Sequence, residues 1–268
     1  MMNSTHGPTG LATGLLAATT YRAVVETPPL SLTVWLLASS VAGALLIDMD
    51  HHSSSPARLW GPLTRVPAAA LGKLAGGHRA ATHDLSKGAP IAFAIVLAAG
   101  LMVPQLVAGI VADVRDPGVI WVCQFAARLT GMAVIALIAG LAFVGAAAFI
   151  PGRWEGDGVW NFIVSWLTAG AVSFAYPSGL PSSVVLVVGG GVALGVVVGI
   201  AGDAMTVSGV PCFGRARHLL PRGFRISTDS RAEVLLVRVP VLLLCWWLGW
   251  RLARDGYGFF GLQPAAYF

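Results

Sequence analysis

Long apolar runs, broken by short polar stretches, dominate the chain, and within those runs there is neither the two-residue alternation of a half-buried strand nor the polar face of a surface helix. A helix that crosses about 30 Å of hydrocarbon needs roughly 20 residues. By that measure the pattern predicts an all-α, polytopic transmembrane helical bundle of about seven spans, at residues 8–25, 30–47, 90–112, 119–150, 159–176, 183–205 and 234–250. The run 119–150 is too long for one upright helix and contains Arg128, so part of 119–128 is expected at the membrane interface. The first span is the least apolar of the seven.

Composition agrees with lipid as the solvent. Of the 268 residues 56% are hydrophobic and only 11% charged, against about a quarter charged in a soluble domain. The whole of 1–268 therefore reads as a single integral membrane domain with two larger loops, 48–89 and 206–233. The net charge of +5 does not point to nucleic acid, because the basic residues gather in those loops. Arg58, Arg65, Lys73, Arg79 and Lys87 lie in the first, and Arg215, Arg217, Arg222, Arg225 and Arg231 in the second. The connections assigned to the other face hold only Arg115. Lys and Arg accumulate on the cytoplasmic side of short loops, so both loops and the N-terminus are expected in the cytoplasm. Three widely spaced cysteines, Cys123, Cys212 and Cys245, make no disulfide framework. The N-terminus lacks the basic start and cleavage site of a secretory signal and reads as retained.

A second pattern lies inside the spans. Gly191, Gly195 and Gly199 recur every four residues and lead to Asp203; His6, Gly10 and Gly14 repeat the spacing, as do Ser40, Ala44 and Asp48. Four-residue spacing places side chains along one helix face, and small residues let helix backbones meet in lipid. The stripes would thus bring their terminal polar residues together.

Five of the six histidines and four of the twelve acids fall in four patches: Thr5-His6, Asp48 to His52, His78 to Asp84, and Gly202-Asp203. In the expected topology all four lie at cytoplasmic span ends. Ionisable groups beside hydrocarbon face a cavity, a partner or a metal. Imidazole with carboxylate suits zinc, iron or manganese, and carboxylate with water suits magnesium. The candidate metal ligands are His6, Asp48, Asp50, His51, His78, His83 and Asp203. Asp48 and His51 can share a helix face, whereas His78 and His83, five apart, fit a turn leading into a helix better than one regular helix. His218 and Cys212 read as ordinary loop residues.

These motifs resemble the YdjM-like family of inner-membrane metal-dependent hydrolases. The resemblance is carried by Thr5-His6, Leu46-Ile47-Asp48-Met49-Asp50-His51, His78-Arg79-Ala80-Ala81-Thr82-His83, Asp203 with Thr206, Gly209, Val210 and Pro211, and Phe224-Arg225-Ile226 with Ser230 and Glu233. Ile47 stands where that family usually has proline, and Asp84 where it usually has serine. The resemblance implies a phospholipase C-like, multi-metal helical site in a bacterial-type inner membrane, zinc first among the metals, that cleaves a phosphate ester of a lipid or lipid-linked substrate. Arg79 is then a candidate phosphate clamp or an ion-pair partner of Asp84 or Asp50, and Asp50 or Asp84 a candidate general base. Membrane lipids are the expected partners, with no nucleic acid. A proton- or metal-ion-coupled transporter using the same cluster is the main alternative, and a metal-stabilised structural protein is a third.

Overall fold

The computed structural model describes residues 3–24, 29–77, 81–147, 149, 158–176, 179–212, 215–228 and 230–256. The chain is an all-α polytopic bundle. Helices α1 (Asn3–Val24) and α2 (Leu30–Leu46) form a first antiparallel pair, and a 3-10 turn over Ile47–Asp50 ends the second. Helix α3 (Pro62–Leu74) follows, then α4 (Gly88–Leu97), which runs through a π turn at Ala98–Met102 into α5 (Val103–Ala112). Helices α6 (Pro117–Ala147), α7 (Gly158–Ala175) and α8 (Ser182–Ala204) complete the centre. A small hairpin of β1 (Val210–Cys212) and β2 (Arg215–Arg217) precedes the short α9 (Arg231–Glu233), a π turn at Val234–Arg238 and α10 (Val239–Gly256).

Among the described residues six helices are long and apolar enough to cross a membrane: Leu30–Asp50, Gly88–Ala112, Pro117–Ala147, Gly158–Ala175, Ser182–Ala204 and Arg231–Arg254. The seventh expected span, α1, is a 22-residue helix, but its threonines, His6 and Arg22 keep it outside that apolar set. The stretch 119–128, expected in part at the membrane interface, is helical. It belongs to the continuous 31-residue α6, which Asp116 caps by accepting from the Gly118 N–H at 2.7 Å, with Pro117 as the first helical residue. At 1.5 Å per residue α6 is about 46 Å long, so it reaches past the hydrocarbon. The two π turns have a shared local cause. Each is followed closely by a proline, Pro104 or Pro240, whose missing N–H and bulky ring disturb the hydrogen-bond ladder one turn earlier.

The tightest packing is the seam where α2 lies between α1 and α8. A side chain at Gly10 would meet the Ser40 carbonyl at 2.7 Å and Ala44 Cβ at 2.8 Å; one at Gly199 would meet Ile47 at 2.8 Å and the Ala44 carbonyl at 3.0 Å. At Gly195 it would collide with the Ser40 carbonyl itself. The three small-residue stripes therefore face one another, which is what backbone-close packing in lipid requires. Val41, Leu45, Val188, Val192, Val196 and Ile200 fill the surrounding core.

The loop 48–89 is not featureless. Helix α3 turns Thr64, Ala68 and Gly72 inward, with Gly72 directly against the Asp50 carbonyl, and leaves Leu63, Val66 and Leu74 exposed beside Arg65 and Lys73. Such a face suits a lipid headgroup boundary. The second loop folds as a strap: Val207 N–H donates to Ile226 O and Ile226 N–H to Met205 O, while Leu219 N–H returns to Ala204 O. Both loops thus meet at the end of the bundle where α2 and α8 stop.

Candidate metal centre

Each stripe ends in an ionisable residue, and the seam delivers three of them to one place. His6 from the start of α1, Asp48 from the turn after α2 and Asp203 from the end of α8 offer ligand atoms that all lie within 4.8 Å of one another. His6 Nε2 is 3.6 Å from Asp48 Oδ2 and 3.6 Å from Asp203 Oδ1. His83, from the 3-10 turn Ala81–His83, faces the opposite edge of the same carboxylates. Its Nε2 is 3.2 Å from Asp203 Oδ2 and 3.8 Å from Asp48 Oδ1. Asp48 and Asp203 therefore each turn one oxygen to His6 and the other to His83.

Burial is nearly complete. His6, His83 and Asp203 are wholly buried, and only the Asp48 side chain, at 10%, keeps some exposure. Neither ring nitrogen of His6 has a hydrogen-bond partner among the described residues, and neither does the buried Thr5 hydroxyl. Buried polar atoms are almost always satisfied, so an unsatisfied imidazole between two carboxylates marks a place for a ligand. The spacing agrees with a cation. A direct N–H···O bond runs about 2.7–3.2 Å. Two metal bonds of about 2.1 Å at a tetrahedral angle hold their donor atoms about 3.4 Å apart, close to the 3.6 Å found for His6 with each acid. The donor set fits a divalent ion.

Asp50 has a different position. Its Oδ2 accepts the Thr82 hydroxyl and lies 3.7 Å from His83 Nδ1, which is 3.1 Å from the same Thr82 oxygen. Thr82 has one proton and gives it to Asp50, so its oxygen accepts from His83 Nδ1–H. Nε2 is then the nitrogen left to face Asp48 and Asp203, with a lone pair for a metal once the ring is neutral. The imidazole lies in the connection before α4. Burial disfavours its charge, but the nearby carboxylates of Asp203, Asp48 and Asp50 outweigh burial and push its pKa up from 6.5 to about 10. In the absence of a metal these acids hold a proton on His83, and a metal has to displace it.

The remaining expected residues are placed less centrally or not at all. His51 is half-buried in the extended backbone after the 3-10 turn; its Nδ1 is 2.9 Å from Ser53 Oγ and its ring stacks on His52. Asp84 is buried, and its Oδ1 accepts from Ser86 N–H at 3.0 Å and Ser86 Oγ at 2.8 Å, an arrangement that shapes the turn into α4. His78 and Arg79 lie outside the described residues. The Thr82 bridge escaped the sequence reading of ligands, although the threonine stands in the motif itself. His218 also comes nearer than a plain loop residue, with Nδ1 3.3 Å from the Thr206 carbonyl just past Asp203. Glu233 is buried as well, as the last residue of α9, where its N–H donates to the Ser230 Oγ that caps the helix. A scan of family models, a search of curated proteins and a search of solved structures each return no match for this chain.

Proposed function

We propose that this chain is a membrane-embedded, metal-dependent hydrolase acting on a phosphate ester or phosphodiester of a lipid or lipid-linked substrate. The observation that carries the reading is the pair of carboxylates, Asp48 and Asp203, shared edge to edge between His6 and His83. That arrangement suits one divalent ion at His6 and a second at His83, with zinc the first candidate and manganese, iron or magnesium also compatible. Ions bound there would supply Lewis acidity toward a phosphoryl oxygen and acidify a water molecule.

The chain's own residues would divide the remaining work. Asp50 and Thr82 hold the His83 ring with Nε2 forward. Asp48, the one partly exposed ligand, stands on the side from which a substrate arrives. Arg79, two residues before Ala81, is the candidate to clamp a phosphate through its planar fork. The site lies at the end of the bundle that carries the two basic loops, so we assign that end to the cytoplasm of a bacterial-type inner membrane, with the N-terminus on the same side. The resemblance to the YdjM-like hydrolases supports the same assignment.

The test is elemental analysis of protein purified without chelator, followed by turnover on a panel of phosphorylated lipids. Bound divalent metal and phosphate release that a chelator abolishes are expected. Metal with no turnover, but with proton- or metal-coupled flux in proteoliposomes, would replace the hydrolase with the transporter.

A further inference from the structure

The opposite end of the molecule carries a second feature, unconnected with the His/Asp cluster. Helices α5, α6 and α7 diverge there around a groove of about 1030 Å³, as large as the biggest ordinary ligand pockets. Its walls are mostly apolar, with Val107, Phe125, Leu129 and Phe174 among them, and Phe125, Leu129 and Phe174 stand exposed toward lipid. One charged residue, Arg128, lines it, with Gln124, Ser173 and Tyr176 as polar neighbours and no acid among the lining residues. Among the described residues Arg128 has neither an ion-pair nor a hydrogen-bond partner.

Depth identifies what Arg128 meets. Gly145 of the same helix packs on Gly7, beside His6, and so marks the level of the cluster. Arg128 lies seventeen residues earlier in α6, about 25 Å away along the axis. That distance is about 5 Å short of the hydrocarbon thickness of about 30 Å, so Arg128 lies just inside the far boundary, from which its long side chain extends to the phosphate headgroups. An unpaired guanidinium in an apolar groove at that depth matches an amphiphile with an anionic head and acyl chains. Its fork accepts phosphate oxygens in pairs, and the groove receives the chains.

We propose that this groove binds an anionic phospholipid of the leaflet opposite the His/Asp cluster, with the phosphate on Arg128 and an acyl chain between α5, α6 and α7. The full-length protein, delipidated in detergent, is titrated with phosphatidylglycerol and separately with phosphatidylcholine, and bound lipid is counted by native mass spectrometry. Wild type is expected to prefer phosphatidylglycerol by about five-fold, the worth of one basic residue at an anionic surface. Arg128→Gln should abolish the preference and Arg128→Lys keep most of it. Gly131 lines the groove, and a Cβ added there meets nothing within 4 Å beyond its own helix backbone. Gly131→Leu should therefore fold normally, fill the groove and lower retention of both lipids. Equal affinity of wild type for the two lipids, an undiminished preference in Arg128→Gln, or unchanged lipid counts in Gly131→Leu would each overturn the proposal. Metal content should stay at the wild-type level in all three variants, which separates this result from the fate of the hydrolase reading.

Discussion

The α1–α2–α8 seam includes α1, the helix outside the apolar set, and the α5–α6–α7 groove does not, yet it is the seam that is closed to the backbone and the groove that is open. The difference lies in the small residues. In the seam Gly10, Gly195 and Gly199 face Ser40 and Ala44, so main chains touch and the ionisable residues at the stripe ends are buried against one another. In the groove a Cβ added at Gly131 would meet nothing within 4 Å beyond its own helix backbone, the walls stand apart, and the one charge has no partner among the described residues. In lipid the hydrophobic effect does not press helices together, so shape decides where they close and where lipid remains between them.

The sharpest way to break that comparison is a leucine in the seam. Gly195→Leu drives its Cβ into the Ser40 carbonyl, whereas at Gly190, five residues earlier on the exposed face of α8, an added Cβ meets nothing within 4 Å. We expect Gly195→Leu to destabilise the bundle by about 3 kcal/mol and to lose metal, and Gly190→Leu to change stability by less than about 0.5 kcal/mol. Thermal unfolding in detergent checks both. Equal melting of the two variants would mean that the seam is not a close contact.

Next in size are the ligands. His6→Ala, Asp48→Asn and His83→Ala should each lower metal content and turnover together, since each removes a donor from the shared carboxylate arrangement. A smaller effect is expected behind them: Thr82→Val or Asp50→Asn, which free the His83 ring, should weaken metal affinity by about 10- to 100-fold while saturating metal restores activity. A null result in an affinity titration would remove the positioning role. The pH dependence has a fixed sign. Ligands bind metal deprotonated, and His83 holds its proton up to about 10 when metal-free, so affinity should rise steadily with pH through neutrality and fall toward acid. The smallest change expected is from His218→Ala, whose one described contact is with a carbonyl at 3.3 Å; metal affinity should shift by less than two-fold, about 0.4 kcal/mol.

Much of the seam was legible in the sequence because it is helix geometry alone: residues four apart share a face, so Gly191, Gly195 and Gly199 point to Asp203 before any tertiary information is used. The groove was not legible. Arg128 and the length of the run pointed to an interfacial part of 119–128 without showing a groove, and that part belongs to one uninterrupted helix, α6. The six-against-seven span count turned on α1, whose polar residues lower its apolar character without preventing a helix that packs on α2. Within the site, His51 and His83 looked alike as motif histidines. What separates them is the 3-10 turn at Ile47–Asp50, after which extended backbone carries His51 toward Ser53, while the Asp50–Thr82 contact aims His83 at the acids. Contacts between segments more than thirty residues apart leave no trace in local spacing.

Metal stoichiometry tests the central claim most directly. Protein purified without chelator should contain at least one divalent ion per chain by elemental analysis; Asp203→Asn should lose it, and Arg128→Gln, at the other end of the bundle, should keep it. A metal-free wild type, or an Asp203→Asn variant with its full metal content, would contradict the account.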